Sequence, residues 1–328
     1  MGLTAAWIFA SLVVAQPAHD APESADLRAR SRTALERSLK LVERAARAYP
    51  ARRDCFACHH QTFPLLVQRR ARDSGLAIDE TTRAATIAFT RRAFESQRET
   101  LAAGGRIDGR DITVAYGLWT LEIADQPRDA LFAALTLNLL QTQHADGYWE
   151  PEAHRPPAEE SRLFVTALAL RGLRRDDARE RAERIRLATE RAVRWAEQEQ
   201  PESLDDQAGL VMLHASHAPG GAAHQAALAA LVAQQRPDGG WSQRPEMASD
   251  AYAAGLALYT LRDSRFDLAS PPYRRGVQYL LDSQLPDGSW RVVSRCDPVQ
   301  PYFDNGDPHG KDQFLSLMAT AWSAAALP

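Results

Sequence analysis

Three cysteines in 328 residues are too few to build a disulfide scaffold. A surplus of charge is missing too. Thirty-nine basic residues face 42 acidic ones, a net of −3, whereas a protein that coats nucleic acid needs a strong basic excess. No alternating apolar and polar run marks a strand. There is no phosphate-cradling glycine loop, nucleophile elbow or zinc-protease helix motif. Beyond the first 16 residues no apolar run approaches the ~20 residues of a membrane-spanning helix. What is present is an ordinary globular balance, 45% hydrophobic and 25% charged, which excludes a disordered or fibrous chain.

Leu3 to Ala15 is an uncharged apolar run of 13 residues, too short to span a bilayer and ending in the small-residue site Val13-Val14-Ala15. It reads as a signal peptide over residues 1–16, with its positive end on the amino terminus alone. The expectation is an exported chain, periplasmic or secreted, whose mature part runs over 17–328.

Self-similarity organises the rest. Gln143-His-Ala-Asp146-Gly147-Tyr-Trp149 recurs as Gln235-Arg-Pro-Asp238-Gly239-Gly-Trp241 and as Gln284-Leu-Pro-Asp287-Gly288-Ser-Trp290. The shared element is Q-x-x-D-G-x-W, with Trp-to-Trp steps of 92 and 49 residues, so a degenerate copy is expected near Gln198 to Ser203. Asp-Gly supplies a tight turn, the Trp buries a large surface against the next helix pair, and the Gln amide can satisfy backbone groups at a helix end. These roles are structural.

Six helix pairs can be read between these turns. The outer helices are expected near 27–49, 80–103, 128–142, 178–198, 222–235 and 273–284, and carry most of the Arg and Glu. The inner ones are expected near 62–74, 111–124, 161–173, 206–217, 249–262 and 313–327. These are rich in small residues that permit close packing, as in Ala251-Tyr-Ala-Ala-Gly-Leu-Ala-Leu-Tyr259. Six antiparallel hairpins closing on themselves make an all-α fold, a single (α/α)6 toroid.

Q-x-x-D-G-x-W followed by a small-residue helix resembles the repeats of squalene–hopene cyclases and protein prenyltransferases. The chain is more similar still to a bacterial group of secreted prenyltransferase/squalene-oxidase-repeat proteins. Three segments carry that resemblance: Cys55-Phe-Ala-Cys58-His59-His60-Gln61, Ser249-Asp-Ala-Tyr-Ala253, and Gln300-Pro-Tyr-Phe303 with Pro308-His-Gly-Lys-Asp-Gln-Phe314. The likeness covers nearly the whole mature chain and implies a terpenoid-cyclase-type toroid.

Cys55-Phe-Ala-Cys58-His59 is the sharpest chemical signal. In an exported chain it reads as covalent attachment of haem c, with Cys55 and Cys58 as thioether sites and His59 as the iron ligand. A Cys55–Cys58 disulfide and a zinc site remain open alternatives. Met247, His309 and His214 are the reasonable sixth ligands, and Cys296 has no obvious partner. Leu27 to Arg53 carries nine basic and two acidic residues, read as a solvated outer face.

The resemblance also raises acid chemistry. A class II terpene cyclase protonates an alkene or epoxide with an Asp of a D-x-D-D motif, held protonated by its surroundings. Ser203-Leu-Asp205-Asp206-Gln-Ala208 matches it in part, with Ser203 in the first position. Asp250 heads the next inner helix and Asp312 the last. Each is also a good helix cap. Tyr116, Trp119, Phe164, Tyr252, Tyr259 and Trp322 could line a cavity or form core. Three functional expectations result. One is a haem-bearing toroid that transfers electrons to a partner protein or oxidises an apolar ligand. Another is a terpenoid cyclase or isomerase using Asp205, Asp206 or Asp250 as its general acid. A non-catalytic toroid that binds an isoprenoid or a peptide is the third.

Overall fold

The computed structural model describes residues 20–296 and 301–328, with side chains from residue 25 onward. The expected signal peptide and Gln300 lie outside them. Among the described residues the only β pairings are two isolated bridges, and no helix is long and apolar enough to cross a membrane.

Among the described residues thirteen α-helices form six pairs and one short extra turn. The outer helices are α1 (Asp20–Ala48), α3 (Glu80–Glu95), α6 (Ala130–Thr142), α8 (Arg179–Ala196), α10 (Ala222–Ala233) and α12 (Pro271–Ser283). The inner helices are α2 (Thr62–Asp73), α5 (Arg110–Ile123), α7 (Arg162–Leu173), α9 (Leu204–His217), α11 (Ala251–Asp263) and α13 (Gln313–Ala326). The extra turn is α4 (Arg98–Ala102). Each inner helix packs on the next, and α13 returns to α2, so the ring closes. The (α/α)6 toroid read from the sequence is the fold.

The small-residue logic holds. Gly209 of α9 lies so close to α7 that a methyl group there would meet the Leu163 carbonyl carbon at 2.6 Å. The outer helix α8 turns its charges to water, where Arg186 pairs with Glu183 and Glu190 across one turn. One expected helix divides. The stretch 80–103 breaks after Glu95, because the Ser96 hydroxyl and the Gln97 amide both turn back onto the Ala93 carbonyl and compete with the helical ladder.

The three Q-x-x-D-G-x-W turns act as staples. Each indole Nε1 donates to a carbonyl ten residues back on its own outer helix: Trp149 to Leu139, Trp241 to Leu231 and Trp290 to Leu280, at 2.8–2.9 Å. Each Gln amide closes its own turn and reaches the next outer helix: Gln143 to Ala188, Gln235 to Pro272 and Gln284 to Ala34. The last of these ties the final pair to the first. Gly288 has φ +88°, and a Cβ there would lie only 2.6 Å from the Arg37 carbonyl carbon, so glycine there is obligatory.

Candidate active site

The six inner helices run parallel. Their first turns meet at one mouth and their last turns at the other. At the first mouth Ser161, the cap of α7, donates its hydroxyl to Asp206 at 2.6 Å, and Tyr252 of α11 donates to Asp205 at 2.7 Å. At the opposite end Arg171 of α7 binds Glu122 of α5 and Asp263 of α11. All the motifs singled out above arrive at the first mouth, because each is part of the loop that feeds an inner helix.

The two aspartates of Ser203-Leu-Asp205-Asp206 separate in role. Asp206 completes a capping box: its carboxylate accepts from the Ser203 backbone and hydroxyl, while Ser203 accepts from the Asp206 N–H. With the Ser161 and Glu202 bonds added, both its oxygens are occupied in structure. Asp205 points inward and is 1% exposed. One oxygen takes the Tyr252 hydroxyl; the other is buried and makes no hydrogen bond. Burial pushes its carboxyl up to about 8, against the Tyr252 bond and with help from nearby Glu160, Asp206 and Asp250. A helix N-terminus favours an anion by only about 0.3–1 kcal/mol, too little to offset loss of water.

Asp250 caps α11 through the Ala253 N–H at 2.9 Å and accepts from Gln243 at 2.7 Å; burial raises its carboxyl. Asp312 was expected to cap α13, and it does not. Its oxygens go to the Arg291 guanidinium and the Ser294 N–H, which draws the preceding loop onto the mouth.

Cys55 is exposed, and Cys58 and His59 keep part of their surface open at this mouth. All three cysteines carry free thiols. Tyr49 lies 3.3 Å from the Cys55 sulfur, and the Cys58 sulfur lies 3.8 Å from His59 Nδ1. Burial pushes the Cys58 thiol up to about 12 and His59 down to about 3, so the pair is a neutral thiol and a neutral imidazole. His60 is fully buried, stacked 4.2 Å from Tyr49, with neither ring nitrogen hydrogen-bonded. Phe314 sits edge-on to His59 at 4.9 Å. No group of three His, Cys, Asp or Glu among the described residues is arranged to hold a metal ion. His214 lies in the last turn of α9, at the far mouth, and is separated from His59 by the length of the ring.

The inner aromatics are core. Trp119 stacks on Trp322 at 5.8 Å, and Tyr259 and Phe63 close on Trp322 at 4.9 and 4.8 Å. This plug fills the ring below the level of Tyr116 and Tyr252. Two outer-surface concavities, of about 320 and 360 Å³, lie beside α12 and touch neither Asp205 nor Cys58.

Five charged residues at the mouth were not signalled by the sequence. The loop between α6 and α7 reaches over the opening. It brings Arg155 within electrostatic reach of Cys58 and His59 and Glu159 within reach of Cys58, and packs Ala158 on the core. At its end Glu160 is almost fully buried, 2.9 Å from Arg244 and 3.8 Å from Arg295, which come from two other loops. Their partners lie 84 and 135 residues away in sequence, with no shared motif to betray them.

No family model and no curated protein matches the chain. Solved structures do. A type II terpene cyclase from Scytonema, in complex with its product merosterolic acid A, aligns with a TM-score of 0.57 at 13% identity over 92% of this chain and 97% of its own. A protein from Actinoplanes aligns at 0.58 and 17% identity, over 90% and 98% of the two chains. A glycosidase aligns at 0.58 and 13% identity, over 93% and 99%. At such identities the likeness is one of fold: the chain has the α/α toroid shared by type II terpene cyclases and these glycosidases.

Proposed function

We propose that the mouth performs acid-catalysed chemistry on an apolar, isoprenoid-type ligand, with Asp205 as the proton donor. The observation that carries this is a buried carboxyl at the head of an inner helix, kept protonated near neutral pH and held by the Tyr252 hydroxyl. An alkene is a weak base, so its protonation needs an acid that has not already lost its proton to water. The Asp205 O–H bond breaks as the alkene π pair forms a C–H bond. The carboxylate left behind keeps the Tyr252 hydrogen bond, and Tyr116 and Tyr252, the buried aromatics near that carboxyl, would stabilise the cation. Loss of a neighbouring proton back to Asp205 restores the acid, so the net reaction is an isomerisation or ring closure. The aromatic plug restricts this to a ligand segment held at the mouth, in contrast to a polycyclisation along a deep channel. Asp206 and Asp250 act here as positioning residues. Asp205→Asn is expected to abolish turnover of an isoprenoid alkene with the fold retained. Unchanged turnover in that variant would sink the reading.

Covalent haem is a second reading, favoured by the two free thiols and the neutral imidazole on one short loop at the mouth. The donor chemistry fits: Cys55 and Cys58 would hold the group and His59 would ligate its iron, with the aromatic ring of Phe314 alongside. Haem would supply one-electron chemistry, with a redox partner protein or an apolar ligand as its counterpart. Met247, whose sulfur accepts from Arg295 at 3.3 Å, and His309, bonded to Ser289 at 2.7 Å, are the mouth-side residues left as a sixth ligand. This reading depends on export. An absorption spectrum and an intact mass of chain made in a host with cytochrome c maturation decide it. A Soret band with one added haem mass supports it, and a colourless chain of unmodified mass overturns it.

A further inference from the structure

Arg295 is the most under-used charged group at the mouth. Its Nη1 donates to the Met247 thioether, a weak acceptor, at 3.3 Å. Its Nε and Nη2 are buried and make no hydrogen bond. Glu160 is the nearest acid, and its Oε1 lies 3.8 Å from Nη2, beyond hydrogen-bond reach; that oxygen is itself buried and unbonded. Glu160 instead spends its other oxygen on Arg244 at 2.9 Å. Unsatisfied buried donors cost about 1–3 kcal/mol each, so a protein seldom keeps two on one guanidinium without use.

The Nε–Nη2 edge is the side of arginine whose two parallel N–H groups match the two oxygens of a carboxylate. We propose that this edge of Arg295 receives the carboxylate of an apolar carboxylic acid, with the ligand's apolar body directed under the α6–α7 loop toward Tyr116, Tyr252 and Asp205. The inference rests on the reading of the mouth as a site for an apolar ligand, and names the class of that ligand. A monoanion suits the place better than a diphosphate. Arg244 and Arg295 are the cations there, and Glu160, Asp206 and Asp250 already face them. Little positive charge is left over for a second negative one. Entry requires the loop over the mouth to give way, and Glu160 is the side chain that ties it down.

The test is calorimetric binding of three C15 probes with one apolar chain: farnesoic acid, farnesol and farnesyl diphosphate. On the full chain the acid is expected to bind roughly 10- to 100-fold more tightly than the alcohol, the range of a charge-assisted bidentate pair. Arg295→Gln should remove that preference. Arg295→Lys, which keeps the charge and loses the fork, should restore part of it. Asp205→Asn should keep the preference while losing turnover. Acid preference that survives in Arg295→Gln overturns the proposal, and so does a diphosphate that binds more tightly than the acid. Equal binding of acid and alcohol with Asp205-dependent turnover intact overturns the carboxylate site alone. Failure of all three probes to bind overturns it together with the apolar-ligand reading.

Discussion

Two part-buried arginines, one at each end of the inner ring, show how the same chemistry serves two purposes. At the closed end Arg171 spends its guanidinium on both oxygens of Glu122 and on Asp263, and lies over the Trp119 ring at 5.3 Å. At the mouth Arg295 is about as exposed, 22% against 21%, yet leaves two donors idle. Burial is the same and satisfaction differs. A satisfied network locks three helices together, whereas an unsatisfied one leaves donors available to a ligand.

The largest effect should come from the staples that hold both ends in register. Trp290 is 1% exposed, and its turn ties α12 to α1. Trp290→Ala removes a large core side chain and its hydrogen bond to Leu280, and is expected to cost about 3–5 kcal/mol of stability in denaturant titration. A loss below about 1 kcal/mol would mean that the ring does not depend on that closure.

Next, the two arginines should respond oppositely to the same change. Arg171→Met strands Glu122 and Asp263 and is expected to cost about 3 kcal/mol, the lower end for breaking a buried pair because Asp263 is part-exposed. Arg295→Met removes unsatisfied donors as well as a partner of Glu160, which Arg244 still holds, and is expected to be close to neutral. Equal losses in the two melts would erase the distinction drawn here.

Much of this architecture was legible in the chain itself. The inner helices announce themselves through small residues, and the three Asp-Gly-x-Trp turns mark where pairs begin, because turn chemistry and close packing are local demands. The site was legible in part. Asp205 could be suspected from Ser203-Leu-Asp205-Asp206, but its separation from Asp206 depends on Tyr252, 47 residues on, and on Ser161, 45 residues back. Glu160, Arg244 and Arg295 were invisible, since only closure of the ring brings three unrelated loops together. Asp312 looked like a cap and serves Arg291 and Ser294 instead, because the loop before α13 folds back on it.

Asp205 allows the mouth to be tested through pH. Its folded-state carboxyl lies near 8, above the ordinary value near 4 of an unfolded chain, so the fold favours the protonated form. The stability it contributes is fully present below about pH 4 and is lost as pH rises toward 8, by about 1.4 kcal/mol per pH unit at most. Asp205→Asn keeps an acceptor for Tyr252 and cannot ionise. The stability of wild type relative to this variant should therefore fall steadily between pH 4 and 8. Arg171→Met should leave that slope untouched, because Arg171 lies at the opposite end of the ring from Asp205. Parallel pH curves for wild type and Asp205→Asn would show that the carboxyl is ionised in the fold, and would remove the basis for an acid at this site.

The smallest effect separates the two neighbouring aspartates. Ser203→Ala removes the hydroxyl that accepts from the Asp206 N–H, and should cost about 1 kcal/mol, the usual worth of an N-cap. Asp206 would still hold the Ser203 and Glu202 backbone N–H groups and the Ser161 hydroxyl, so α9 should keep its start. Because Asp205 turns inward to Tyr252 rather than back toward the cap, its pH-dependent slope should survive the change. A loss of about 1 kcal/mol with the slope intact places Asp206 in the frame and Asp205 in the site. Loss of the slope together with the cap would make the two carboxyls a single structural unit, and the mouth would then differ from the closed end only in how completely its charges are paired.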